Sequence, residues 1–314
     1  MNEPIQSIRP LQKARATLRP LLPPTPVLES QGLNALLGCQ VFFKCENFQK
    51  TGSFKARGAR FFMAQLPPRV NTVTTHSSGN HGQAVAWAAR ETGRRALIVM
   101  PENAPAVKMA AVKDYGGEVH QCAPNQAARE SLMAQLRDQT GATFIPPYDH
   151  WDTIAGQSTC AQELLEEVPD LDCLWTPVGG GGLLAGTLLA AKYFSGGMAV
   201  YAGEPEGADD AYRSIRSGVR VSEQTPDTLA DGLRTTLGKR NFEVIKQRVA
   251  DIIPVSDADT VAAMRLVYER LKIVIEPSCA VPLAALRLAR ERWAGKRVGI
   301  LLTGGNVDLS QLPF

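Results

Sequence analysis

Short apolar runs alternate with amphipathic stretches along almost the whole chain, and this alternation limits the possible folds more than any other feature. "NTVTTHSS" precedes "GQAVAWAARETG", "RALIVMP" precedes "APAVKMAAVKDYG", and "GEVHQCA" leads into "NQAARESLMAQLRDQTG". Further on come "DCLWTPV", "MAVYAGEP", "DIIPVSD" and "RVGILLTGG", again with helical stretches between most of them. The apolar runs read as strands buried on both faces, and the intervening segments as crossover helices. Such crossovers are right-handed and build parallel sheets covered by helices, so the expected class is α/β. The strand-like runs fall into two blocks. One holds three or four strands around residues 71–148; the larger draws on both ends of the chain. The expected organisation is a large unit, residues 1–70 and 149–314, and a small one, residues 71–148, with "IPPYDHWD" as the passage back.

The 314 residues suffice for two domains and a buried core, and 44% hydrophobic with 21% charged residues is ordinary for a soluble globular protein. A net charge of +3, with no run of five or six basic residues, argues against nucleic acid or an anionic membrane as the main partner. The six cysteines form no C-x-x-C pair and sit in mostly apolar surroundings, so reduced, buried thiols are expected. "MNEPIQSIRPLQKAR" has no apolar signal core, and no segment approaches a membrane span. A cytoplasmic location is expected.

In open α/β sheets the chemistry lies where strands end and helices begin. "FQKTGSFKARGARFF" is such a place, with Ser53 as the expected N-cap and Lys55 in the first helical turn. A cation there faces the positive end of the helix dipole. That placement suits an amine kept partly neutral, as a nucleophile or Schiff-base former needs. "CLWTPVGGGGLLAGTLLAAKYF" puts four glycines, Gly179 to Gly182, between a strand and a helix; their bare amides at a helix start make an anion site. No Lys-Ser/Thr follows, so a nucleotide P-loop is excluded. Gly180, Gly182 and Ala185 do match a dinucleotide fingerprint, and Glu204 stands at the ribose-binding distance, so a nicotinamide-dependent dehydrogenase competes. That reading leaves Lys55 unused. "THSSGNHGQAVAWAAR" gathers Ser77, Ser78, Asn80 and His81 around two glycines, and "GILLTGGNVDLS" ends a strand in Thr303.

"KTGSFKARGA", "THSSGNHGQA", "TPVGGGGLLAG" and "LLTGGN", in this order over nearly the entire chain, resemble the fold-type-II pyridoxal-phosphate enzymes of the serine/threonine dehydratase and serine racemase group. "GEPEGADDAYRS", "LADGLRTTLG" and "IEPSCA" reinforce the likeness. The resemblance implies the tryptophan synthase β-like fold, two domains each with a mostly parallel sheet. It implies Lys55 as the Schiff-base lysine and Phe54 against the cofactor ring. Gly179, Gly180, Gly181, Gly182 and Leu183 would hold the phosphate of pyridoxal 5′-phosphate, Asn80 would bond the cofactor's 3′ oxygen, and Thr303 would meet the ring nitrogen. Glu276 would lie close to the cofactor. A hydroxyl at the ring nitrogen, where an aminotransferase offers a carboxylate, leaves the ring a weaker electron sink, which favours β-elimination over a long-lived carbanion.

The implied activity is dehydration and deamination of a β-hydroxy amino acid of the serine, threonine or 3-hydroxyaspartate type, giving a 2-oxo acid and ammonia. "HSSGNHG" follows the racemase form, in which Ser78 is a second base opposite Lys55, so a racemase is the alternative and the nicotinamide dehydrogenase a remote one. Ser77, Ser78, Asn80 and His81 would take the substrate carboxylate, Arg129 a second carboxylate, and Asp231 and Thr235 would line the same side. Tyr148, Trp151 and Arg129 are the expected specificity residues. Glu204, Ala208 and Asp210 match the divalent-metal loop of the racemase-like branch, so Mg²⁺, or Ca²⁺ or Mn²⁺, is an expected cofactor. The resemblance further implies a homodimer. Because the chain ends at Phe314 with "TGGNVDLSQLPF", no feedback domain for branched-chain amino acids is expected.

Overall fold

A computed structural model describes residues 4–77, 79–104 and 106–314. The strands are β1 (Val27–Leu28), β2 (Gln40–Cys45), β3 (Thr72–His76), β4 (Arg95–Pro101), β5 (Gly117–Cys122), β6 (Thr143–Phe144), β7 (Cys173–Pro177), β8 (Ala199–Pro205), β9 (Asp251–Val255) and β10 (Arg297–Leu302). They form two sheets. The larger has the order β1-β2-β10-β7-β8-β9, and the smaller β5-β4-β3-β6. All pairings are parallel except β1 with β2. The α/β class and the parallel sheets expected from the alternation are therefore present.

Each apolar run has become a strand because it can be covered on both faces. Phe43, Val41, Leu174, Trp175, Ile300 and Leu301 are fully buried. The two-residue strands β1 and β6 carry too little sequence to show any period, and neither was foreseen. Helices Trp151–Glu167, Gly182–Phe194 and Pro277–Leu288 provide the cover, the first buried along nearly its whole length. The helix Gly182–Phe194 is mostly apolar, as expected between a sheet and a further layer, whereas Trp151–Glu167 also buries polar groups, Gln157, Ser158, Thr159, Gln162 and Glu163 among them.

The N-terminal strand β2 and the C-terminal strand β10 run level, from Gln40 against Arg297 to Cys45 against Leu302. That register brings chain ends together at the centre of the large sheet. The cysteines are unpaired, five of them buried and Cys122 half-buried, in agreement with the reduced state expected. Among the described residues no helix is long and apolar enough to cross a membrane.

Candidate active site

Strands β2, β10, β7 and β8 are neighbours and parallel, so the loops leaving their carboxyl ends open along one edge of the sheet. Lys55 follows β2, Thr303 follows β10, the four glycines follow β7, and Glu204 lies near the end of β8. Sheet order thus assembles residues that lie far apart in sequence.

Lys55 begins the helix Lys55–Gln65, but the cap is not the expected one. Ser53 is extended, with φ −163° and ψ 159°, and pairs with Gly304 in an antiparallel bridge. Phe54 takes the N-cap place, and its N–H donates to the Thr303 carbonyl at 3.0 Å. The bridge to the Thr303–Gly304 segment has overridden the capping preference of serine. The Ser53 hydroxyl is left buried without a partner among the described residues. Lys55 Nζ lies 5.1 Å from the Phe54 ring centroid and donates to the Pro147 carbonyl at 2.8 Å. Burial pushes its pKa down to about 8, against an opposing pull from Glu276. An amine in that range is charged or neutral at small cost, which is what a proton-transferring lysine requires.

Pro147 leads directly to Tyr148, and Tyr148 packs on the glycine loop. A Cβ on Gly180 would lie 2.4 Å from the Tyr148 ring, so only glycine fits there. Gly181 has φ +87°, a left-handed conformation that glycine adopts freely. The helix Gly182–Phe194 starts at once, and its first internal bond runs from the Ala185 N–H to the Gly181 carbonyl, 2.8 Å. The amides of Gly179 to Leu184 are buried and donate to no acceptor among the described residues. Buried orphan donors at a helix start are what a phosphate would satisfy, so the residues present fit the expected group.

Asn80 sits in a side-chain chain. Its Nδ2 donates to Glu276 Oε1 at 2.7 Å, and its Oδ1 accepts from Asn306 Nδ2 at 2.8 Å. Asn306 Nδ2 also donates to the Thr51 carbonyl at 2.7 Å. Burial, with the Asp231 charge added, drives the Glu276 carboxyl well above the carboxylate range. Asn80 keeps one N–H free of this chain, consistent with a donor for a ligand oxygen. His81 Nε2 is 3.0 Å from the Ile145 carbonyl, and burial pushes its pKa down to about 3, so the ring is neutral. Its Nδ1 is buried without a partner among the described residues. Ser77 Oγ accepts from the Gly79 N–H at 3.2 Å. Ser78 lies outside the described residues.

Arg129, on the helix Gln126–Thr140, lies close enough to His76 to help lower that imidazole's pKa, behind burial. Its Nε is buried without a partner among the described residues. Asp231 meets Lys108, an ion pair between the segment after β9's partner strand β8 and the helix Ala106–Asp114 beside the small sheet. Thr235 is exposed nearby, Tyr148 packs on the glycines as described, and Trp151 is buried at a helix start.

Glu204 accepts the Ala211 and Tyr212 amides at 2.9 and 2.7 Å, turned toward the helix Asp210–Ser217 and not toward a ribose beside the glycines. Asp210 accepts from Gln224 Nε2 at 2.8 Å and from the Leu237 N–H at 2.7 Å. Ala208 is buried just before it. Burial raises both carboxyls, Glu204 far above its usual range and Asp210 to about 6. Among the described residues no three His, Cys, Asp or Glu side chains gather as a metal cluster, so any ion here would rely on two carboxylates and a carbonyl. Asn306, Gln157, Lys108 and Asn241 complete the surroundings and escaped sequence reasoning. Only Asn306 carried a signal, standing directly after Gly304 and Gly305.

The chain matches the family model of the pyridoxal-phosphate dependent enzymes over residues 18–304. It is 44% identical over 303 residues to the beta-hydroxyaspartate dehydratase of Paracoccus denitrificans, covering 96% of each chain. It is 47% identical over 290 residues to the L-threo-3-hydroxyaspartate ammonia-lyase of Saccharomyces cerevisiae, covering 91% of this chain and 89% of that one. The structure of maize serine racemase superposes with a TM-score of 0.94 at 41% identity, over 97% of this chain and 94% of that one.

Proposed function

The chain belongs to the pyridoxal-phosphate-dependent enzymes, and within that family we propose that it dehydrates and deaminates a β-hydroxy amino acid to a 2-oxo acid and ammonia, with 3-hydroxyaspartate as the substrate of choice. One observation carries this reading: the Lys55 amine, its pKa lowered to about 8, bonds the Pro147 carbonyl, and the adjacent Tyr148 packs on a glycine loop whose buried amides are unsatisfied among the described residues.

Bound pyridoxal phosphate would be held through Lys55 and the amides of Gly179 to Leu183, and would supply the electron sink for the substrate's α-carbon. Phe54 would pack on its ring, Thr303 would offer a hydroxyl to the ring nitrogen, and Asn80 would offer its free N–H to a ring oxygen. Glu276 fixes Asn80 from the other side. Lys55 Nζ, once neutral, takes the α-proton. The electron pair expels the β-hydroxyl, which leaves as water with a proton from the site. The enamine so released takes up water to give the 2-oxo acid and ammonia. Ser77 donates its hydroxyl to the α-carboxylate, neutral His81, its Nε2–H spent on the Ile145 carbonyl, lines the same wall with an acceptor nitrogen, and Arg129, its Nε unsatisfied, binds the second carboxylate of an acidic substrate. Asp231 and Thr235 line the same side.

A second reading, racemisation by Lys55 and Ser78, is favoured by "HSSGNHG" and by the likeness to serine racemases. We also propose that Glu204, Asp210 and the Ala208 carbonyl hold Mg²⁺ or a similar ion, on the grounds that both carboxylates are buried side by side. The division into residues 1–70 with 149–314 and residues 71–148 is part of the same proposal, supported by the two separate sheets. The homodimer is proposed from the resemblance, and the cytoplasmic location from the sequence reading above.

The deciding experiment measures 2-oxo acid release from L-serine, L-threonine and the 3-hydroxyaspartate isomers, with chiral analysis of the remaining amino acid. The expected result is fastest release from a 3-hydroxyaspartate isomer, and loss of at least a thousandfold in rate for Lys55→Ala, on the order expected when a proton-transferring nucleophile is removed. Accumulation of the opposite enantiomer without oxo acid would replace the lyase by the racemase. A Lys55→Ala protein that kept its activity would overturn both.

A further inference from the structure

The glycine loop is held from behind by a side chain that the family reading gives no role. Asn241 lies in the first turn of the helix Lys239–Arg248 and is fully buried. Its Nδ2 donates to the Gly180 carbonyl at 2.6 Å, and the Gly238 N–H reaches the same oxygen at 3.1 Å. Its Oδ1 is buried without a partner among the described residues. Turning the amide over would set two oxygens against each other at hydrogen-bond distance, so the donor orientation is the stable one. A buried asparagine with one half unsatisfied costs stability, and that cost is offset only if the other half matters.

The geometry explains what it does. A peptide unit is planar and trans, so the Gly180 C=O and the Gly181 N–H point in opposite directions. Drawing the carbonyl toward the helix Lys239–Arg248 turns the Gly181 N–H away from that helix. A Cβ on Gly181 would stand 2.9 Å from the Asn241 Cβ, so Asn241 also presses directly on the residue whose amide it aims. The helix is itself anchored next to the site: Asp149, adjacent to Tyr148, accepts the Lys239 and Arg240 amides at 3.1 and 2.9 Å.

We propose that Asn241 is a positioning residue for the cofactor phosphate, setting the Gly180–Gly181 peptide so that its N–H is presented to the anion before it binds. This inference rests on the cofactor reading above. Its test compares two probes on cofactor-free protein: pyridoxal 5′-phosphate, and pyridoxal, which lacks the phosphate. Dissociation constants are followed by the absorbance of the lysine-linked form, and the phosphorus resonance of the bound phosphate by NMR. Asn241→Ala is expected to weaken pyridoxal 5′-phosphate about tenfold, the worth of a hydrogen bond to the cradle, and to shift the phosphorus resonance, while leaving pyridoxal unchanged. Asn241→Ser, smaller and neutral, provides the same comparison should the alanine variant not fold. Equal weakening of both probes would make Asn241 a structural residue and overturn the proposal, as would unchanged affinity and resonance for pyridoxal 5′-phosphate. A wild-type protein that binds neither probe would instead overturn the cofactor reading.

Discussion

Glu276 is the residue whose charge state the fold controls most openly. It is buried, accepts from Asn80, and has the Asp231 charge close by. These surroundings raise its pKa from an ordinary 4.5 to about 8, burial first and Asp231 second. A carboxyl whose folded pKa lies above its unfolded one holds an extra proton in the fold. Its stabilisation is therefore complete below about pH 4.5 and is lost as the pH rises through 8. Lys55 has the opposite sign, its pKa lowered to about 8, so its contribution is lost as the pH falls from above its ordinary 10.5 through 8, and it hardly interferes at lower pH. Urea unfolding of the cofactor-free protein at pH 5 and pH 7.5 should show wild type losing on the order of 2–4 kcal/mol more than Glu276→Gln over this range. Glutamine keeps the acceptor for Asn80 and removes the titration. Equal losses in the two proteins would mean that Glu276 is ionised in the fold.

At the scale of elements, the helix that presents Lys55 is fixed by a charge network two residues further on. Arg57 is fully buried and binds Glu46 after β2 (Nε 2.6 Å, Nη2 2.8 Å) and Glu163 on the helix Trp151–Glu167 (Nη1 2.8 Å, Nη2 2.7 Å). Lys44 adds an ion pair to Glu163 at 3.0 Å. One guanidinium thus joins a strand end and two helices. Replacing it with the apolar Arg57→Met leaves two buried carboxylates facing each other, and should lower the unfolding free energy by about 3–5 kcal/mol, read from denaturant midpoints. Adding Glu46→Gln should recover part of that loss, because one uncompensated charge disappears. A loss below about 1 kcal/mol would mean that water reaches the carboxylates once the arginine is gone. Nothing in "SFKARGARFF" marks Arg57 as different from Arg60, and this divides what the sequence discloses from what it conceals. Lys55 and the four glycines were legible because their demands are local: a helix start, a left-handed residue, bare amides. Asn241, Gln157 and Lys108 were not, because each acts on an element distant in sequence. Ser53 was misassigned as a cap because its backbone answers to Gly304, a partner that no local pattern contains.

The whole molecule repeats this contrast between local and distant partners. The small sheet takes its strands from one continuous stretch, β3 to β6, and its central pairs join strands separated by a single helix. The large sheet depends on β2 pairing with β10, where the side chains of Arg297 and Gln40 meet at 2.6 Å from 257 positions apart. Closing so long a loop costs entropy before any contact rewards it, so pairings of this kind form late. Refolding from urea, pulsed with deuterium and followed amide by amide, should therefore show β3, β4 and β5 protected before β2 and β10. The lysine side chain follows one of those late strands and Thr303 the other, so a lysine-linked cofactor absorbance should develop with the slow phase and not with the early one. Protection of β2 and β10 at the same time as the small sheet would mean that residues 40–45 find residues 297–302 in the collapsed chain before either sheet is complete. The folding order would then be set by hydrophobic burial at the centre of the large sheet, with loop closure secondary.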